Sequence, residues 1–351
     1  MSLNPYRSLP DHRFWRKAIA NVPSFAIDPL IDSPFRITPQ DKVATAGSCF
    51  AQNIAQALQA SGFSYFVPES GPADLPDDER KARNYGVYSA RYGNIYTTRQ
   101  LLQLFDRAYG RFEPILDVWT GAHGRYVDPF RPHIEPNGFD SPEALHEDRA
   151  RHLAAVRRMF EELDVFVFTF GLTESWLHKP DGAALPLAPG VAGGEFDDTY
   201  EFRNMRASEV VIDFLAFADR LRGVNPDAKI IVTVSPVPLI ATYVDRHVLV
   251  SNCYSKAALR VAAEEIVAAR PDISYFPSYE IVMANAHRYF AEDQRSVTAS
   301  GVQSVMRVFF AHCTSNGAAF GTGAQALKLD IRREAAVAAT IVCDEEAVDA
   351  L

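Results

Sequence analysis

The sequence predicts an α/β fold built on a doubly wound parallel sheet, and two observations carry that reading. First, five short runs at residues 43–46, 63–67, 165–170, 230–234 and 273–276 are mostly apolar and rich in β-branched and aromatic residues. Continuous rather than alternating hydrophobicity suits strands covered on both faces. Second, helical patterns separate most of these runs, and strand–helix alternation builds parallel sheets through right-handed crossovers.

Each element has its own signal. After the first strand a helix is expected over 52–60, with Phe50, Ile54, Ala57 and Leu58 on one face and Gly62 as its C′ residue. The second run, 63–67, is followed by a long insertion, about 68–140, with a helix expected over 100–109. Ser141, Pro142 and Glu143 read as N-cap, N1 proline and early acid of a helix reaching about Leu163. A second insertion, about 177–206, is rich in glycine, proline and aromatic residues. Irregular stretches this long inside a domain are often lids or binding elements. Helices over 208–221 and 255–269 flank the fourth strand, and Thr298 or Ser300 opens a last one through Val305 and Phe309. The expected sheet has five strands in the order 2-1-3-4-5, in one domain ending near residue 313, with 314–351 as a tail.

Composition narrows the function. Apolar residues make up 48% and charged residues 23%, which is ordinary for a chain with a sizeable core. A formal charge of −9 argues against a nucleic-acid or anionic-membrane binder, whose affinity comes largely from basic surface. The first residues show no secretory h-region, and no run approaches the roughly 20 apolar residues of a membrane helix. The four cysteines, Cys49, Cys253, Cys313 and Cys343, are scattered and form no C-x-x-C pair. A reducing cytoplasm is therefore expected, with neither zinc site nor disulfide framework. No H-E-x-x-H occurs, and GTGAQ at 321–325 follows no strand as a phosphate loop would.

In a doubly wound sheet ligands bind outside the carboxyl ends of the strands, at the point where the order reverses. That selects Gly47-Ser48-Cys49 after the first strand and Gly171-Leu172-Thr173-Glu174-Ser175-Trp176 after the third. Two readings of Ser48 stand side by side. It caps the helix that follows, or it is a nucleophile served by the helix dipole and free N–H groups. Cys49 is the rival nucleophile, or a small buried filler.

The residues also carry a resemblance. GSCFA at 47–51 resembles the motif of the GSCFA family, a branch of the SGNH/GDSL esterase-like superfamily. YGNIYTTRQL at 92–101, FGLTESW at 170–176, VSPVPL at 234–239, NCYSKAALR at 252–260 and YFPSYEIV at 275–282 follow in order. The resemblance implies a three-layer α/β/α sandwich and puts Ser48 in the place of the superfamily's nucleophilic serine. It implies acyl-ester chemistry, as esterase, deacylase or O-acyltransferase, on a sugar or other hydroxyl substrate. No cofactor is expected, unless transfer draws on a donor such as acetyl-CoA.

Two departures from the superfamily pattern bear on mechanism. The third-strand turn offers Thr173 or Glu174 near the expected oxyanion-hole asparagine. The Asp-x-x-His block reads Asp293-Gln294-Arg295-Ser296, so the aspartate stands and the histidine does not. A serine needs a base at neutral pH. His247, in the loop after the fourth strand, is the first candidate; His287 and His178 follow. Tyr92, Asn94, Tyr96 and Trp176 are expected to line a pocket shaped by the insertions. The rival readings are a non-catalytic carbohydrate- or metabolite-binding protein on the same scaffold, and thiol hydrolysis through Cys49.

Overall fold

The computed structural model describes residues 4–315, 344 and 346–349. In the first half of the chain come β1 (Val43–Gly47), α1 (Ala51–Ala60), α2 (Asp77–Ala82), α3 (Thr98–Ala108), β2 (Trp119–Thr120), β3 (Tyr126–Val127), α4 (Pro142–Glu162) and β4 (Val165–Phe170). There follow β5 (Glu174–His178), β6 (Ala183–Leu185), β7 (Tyr200–Asn204), α5 (Ala207–Val224), β8 (Lys229–Val234) and α6 (Val248–Ala269). After these come β9 (Ile273–Phe276), α7 (Ser278–Met283), α8 (Ala286–Tyr289) and α9 (Ala299–Cys313), and a short helix over Glu346–Asp349.

Four strands, β1-β4-β8-β9 in that order, form one parallel sheet, with Val43 opposite Val165 and Gly47 opposite Thr169. Successive side chains leave on opposite faces. Phe166, Phe168, Phe170, Ile230 and Val232 pack against Phe105 of α3, Phe160 of α4, Phe214 and Phe217 of α5 and Leu259 of α6. Val165, Val167 and Ile231 pack against Ile54 of α1, Val282 of α7 and Phe309 of α9. Helices cover both faces, which is why the strands read as continuously apolar.

The run at 63–67 departs from expectation. It does not form a fifth strand but touches β1 through a single parallel bridge, Val43 to Tyr65. Val43 N–H donates to Ser64 O (3.0 Å) and Phe66 N–H to Val43 O (2.8 Å), and the pairing stops there. Ser64 is exposed, residues 65–68 are half-buried, and Pro68 has no N–H to extend a ladder.

The second insertion is not irregular throughout. β6-β5-β7 form a three-stranded antiparallel sheet, with Trp176 opposite both Leu185 and Phe202. Its glycines and prolines concentrate in the connection between β6 and β7. α6 begins at Val248, before the expected 255, because the His247 ring accepts the Leu249 N–H (3.1 Å) as its cap. α4 starts as expected, with Ser141 Oγ accepting from Ala144 N (3.2 Å), and Thr298 caps α9. Most of the expected tail, with Cys343 and GTGAQ at 321–325, lies outside the described residues. Among the described residues no helix is long and apolar enough to cross a membrane.

A buried ionic network pins the first insertion to α4. The Arg91 guanidinium, 1% exposed, meets Asp148 (2.8 Å) and Glu135 (2.6 Å). Arg131 bridges Asp128 and Asp148, each at 2.9 Å. Glu69 accepts from the Arg91 N–H (2.6 Å) and from His152 Nδ1 (2.8 Å). Burial pushes the Glu69 carboxyl up, but His152, the Arg131 charge and the Arg91 N–H outweigh it and hold it at about 2. Burial, with Arg131 nearby, holds the His152 imidazole below its ordinary range.

Both groups are depressed in the fold, so the unfolded chain binds their protons first and stability falls as pH falls. The loss for His152 begins near its unfolded value of about 6.5, and that for Glu69 runs from about 4.5 down to about 2. Thermal unfolding across this range should show Glu69 contributing up to about 3 kcal/mol that disappears at low pH. Glu69→Gln should flatten the acid limb. An unchanged limb would show that Glu69 is not held low. Replacing Arg91 with Met removes one buried cation from between Asp148 and Glu135 and should cost about 3–5 kcal/mol in denaturant unfolding.

Candidate active site

The site grows from the end of β1. Gly47 has φ +130°, and a Cβ built there would lie 2.2 Å from the Thr169 carbonyl oxygen of β4. No side chain fits, so the chain closes on β4 here, and Ser48 N–H donates to that same oxygen (3.1 Å). The first insertion crosses the junction. Ile95 N–H donates to Gly47 O (2.8 Å), while Tyr96 O accepts from Gly171 N (3.1 Å) and Leu172 N (3.3 Å). The carboxyl ends of β1 and β4 are thereby tied together by residues 95 and 96.

Ser48 sits just before α1, yet its side chain does not cap the helix. Residues 49 and 50 form a turn in which carbonyls accept instead: Ala51 N donates to Ser48 O (2.9 Å) and Gln52 N to Cys49 O (3.2 Å). The Ser48 hydroxyl is buried and has no hydrogen-bond partner among the described residues. The capping reading of Ser48 therefore fails on geometry.

Opposite Ser48 stands Gly171, where a Cβ would come within 3.2 Å of Ser48 Cβ and 3.1 Å of the Tyr96 ring. α6 holds this turn from behind. Ser255 Oγ accepts the Thr173 N–H (3.0 Å), and Lys256 Nζ donates to Gly171 O (2.7 Å). Between these groups lies a cavity of about 10 Å³, lined by Ser48, Cys49, Tyr96, Gly171, Leu172, Ser235, Val237, Pro238, Leu239 and Lys256. That is room for about one water.

The model of the GSCFA family matches residues 42–309, which is most of the chain and includes every group lining this cavity. The chain belongs to the GSCFA family. No curated protein matches it.

The structure of this GSCFA protein separates the expected site residues into two sets. Gly47, Ser48, Cys49, Tyr96 and Gly171 meet at the β1–β4 junction. The others are engaged elsewhere. Thr173 Oγ1 donates to Asn204 Oδ1 (2.7 Å). The Glu174 carboxylate accepts from Thr242 Oγ1 (2.6 Å) and Tyr243 N (3.2 Å), tying β5 to the loop after β8. Tyr92 is buried with its hydroxyl on Thr45 O, and Asn94 donates to Asp344 Oδ2 (2.9 Å). Trp176 joins Phe196, Phe202 and Tyr243 in an aromatic cluster rather than lining the Ser48 cavity.

The expected acid–base groups are likewise engaged away from Ser48. His247 is exposed and spends Nδ1 on capping α6. His287 is exposed, and His178 pairs with Asp181 (2.8 Å). Asp293 is exposed and accepts from Ser296 Oγ (2.5 Å), in the turn whose Arg295 Nε donates to Pro238 O (3.2 Å) on the cavity rim. Among the described residues no imidazole hydrogen-bonds Ser48.

Lys256 is the lining residue the sequence reading passed over. A signal was present: a lysine in the middle of an otherwise buried face, beside Ser255 in the NCYSK segment.

The Gly47 contact has a measurable consequence. Gly47→Ala combines a φ that L-residues avoid with a clash against backbone, and should destabilise by several kcal/mol. Gly62 also has positive φ (+75°) but meets nothing within 4 Å. Its alanine variant should cost only about 1 kcal/mol. Equal losses in denaturant melts of the two variants would refute the close-approach account.

Proposed function

We propose that this GSCFA protein carries out acyl-ester chemistry through Ser48, on a sugar or another small hydroxyl-bearing substrate. The observation that carries the reading is the Ser48 hydroxyl. It is held at the carboxyl end of β1 next to Gly171, and it is spent neither on the helix nor on any neighbour among the described residues. A buried hydroxyl without a partner costs about 1–3 kcal/mol, and a site where reacting groups converge is where such a cost is retained. The position also matches that of the superfamily's nucleophile, which supports the same assignment.

Two observations favour a second reading, a binding protein on an esterase-like scaffold. The cavity beside Ser48 has a volume of only about 10 Å³. The Asp293 turn presents Ser296 where the superfamily presents histidine, and it points no base at Ser48. Catalysis therefore requires the rim formed by Val237, Pro238 and Leu239 to move aside, so that a carbonyl reaches Oγ.

Turnover of a nitrophenyl acetate separates the readings. Ser48→Ala should abolish it, whereas Cys49→Ala should retain most of it. The reverse pattern assigns the role to the thiol, and no turnover by the folded parent protein favours binding. His247→Ala should leave turnover within a few-fold of the parent and cost about 1 kcal/mol through the lost cap. A loss of several orders of magnitude would restore His247 as the base.

A further inference from the structure

We propose that Lys256 is the general base for Ser48, the proton passing between them through one water; the inference rests on the acyl-ester reading above. A serine hydroxyl must lose its proton as it attacks, and no imidazole among the described residues bonds to it. Three titratable side chains line the cavity: Cys49, Tyr96 and Lys256. Among them Lys256 carries the one amine, whose neutral form offers a lone pair to a proton.

Its placement is fixed. Lys256 is 2% exposed, and Nζ is anchored at 2.7 Å on the carbonyl of Gly171, the residue whose Cβ position lies 3.2 Å from Ser48 Cβ. Amine and hydroxyl thus flank the same residue. They do not hydrogen-bond directly, and the cavity they share, about 10 Å³, suits a single relaying water. Buried lysines are the ones that serve as bases, since burial disfavours the ammonium form. Beyond the three lining groups, Arg295 reaches the rim at Pro238, and Glu174 is turned to Thr242 and Tyr243.

The step balances. As Oγ bonds to the acyl carbon and the carbonyl π pair moves onto oxygen, the Ser48 proton goes to the water, and a water proton goes to the Nζ lone pair. When the tetrahedral adduct collapses, the C–O bond to the leaving alkoxide breaks, and the alkoxide takes a proton back from the ammonium. Water or an acceptor hydroxyl then attacks the acyl-serine, gives its proton to the amine, and Ser48 Oγ leaves reprotonated.

The test needs no known substrate. The rate at which a fluorophosphonate labels Ser48 is followed by intact mass, against pH, in the parent protein and in Lys256→Met and Lys256→Arg. Circular dichroism checks folding. The parent rate should fall towards acid along a single ionisation. Both variants should label at least about 100-fold more slowly, and the residual rate should lose that ionisation. Arginine keeps the charge but cannot act as a base. Parent-like labelling of Lys256→Arg would overturn the base role in favour of charge stabilisation. Parent-like labelling of Lys256→Met would overturn any role. Should the methionine variant fail to fold, the arginine variant and the parent pH profile decide. Labelling of the parent at Ser48 with unaffected variants sinks the lysine inference alone. No labelling of the parent at any pH sinks the Ser48 reading with it.

Discussion

Residue 47 has no space for a side chain, because the Thr169 carbonyl occupies it. Much of the surrounding geometry follows from this contact. With the two strand ends touching, Thr169 O accepts the Ser48 N–H and turns the chain towards α1, leaving the Ser48 side chain against Gly171. The closeness also lets one short segment span both ends, with Ile95 on Gly47 and Tyr96 on Gly171 and Leu172. A wider gap would need a longer connector and would separate Ser48 from the third-strand turn. The ionic network around Arg91 holds that connector in register, since it fixes the insertion to α4 on the near side of the sheet.

The central sheet was legible because its strands are buried on both faces, and double-sided burial leaves a pattern that local sequence expresses directly. The runs at 165–170 and 273–276 match β4 and β9 residue for residue. What failed was the edge. Residues 63–67 have strand-like composition, but pairing beyond one bridge depends on tertiary cover and on N–H groups that Pro68 lacks. The β5–β7 sheet was hidden for a different reason. Glycine and proline in the connection between β6 and β7 dominated a window whose flanks alternate, Trp176 pairing with Leu185 and Phe202 across strands far apart in sequence. Non-local pairing of that kind leaves little local signal.

In the site, the Gly47-Ser48-Cys49 turn and its opposing glycine were readable, since strand-end turns are few and their order constrains which ones meet. The base was not. Expectation followed the histidines, and His247 drew attention by standing near the carboxyl edge, yet its ring is occupied with helix capping. Lys256 lies well inside a helix, where lysine ordinarily marks the solvent face. Only the packing of α6 across the third-strand turn shows it facing inward. Trp176 is held in the aromatic cluster on β5, Tyr92 by the core and Thr45 O, and Asn94 by Asp344, so none of them lines the Ser48 cavity.

The two buried polar systems follow opposite rules, and the contrast bears on what Ser48 is for. Around Arg91 each interior charge meets an opposite charge or a donor, as burial demands. The small hydroxyls behind the third-strand turn obey the same rule: Thr173 donates to Asn204, and Ser255 accepts from Thr173. Ser48 has a helix start within one turn, so a cap bond was available at little conformational cost. The turn at 49–50 instead feeds backbone carbonyls to the first helical N–H groups, and Oγ is left facing the cavity beside Lys256. Thr169 Oγ1, at the end of β4, is likewise buried without a partner among the described residues, and hydroxyls kept in reserve at a strand junction are used when a ligand arrives to complete them.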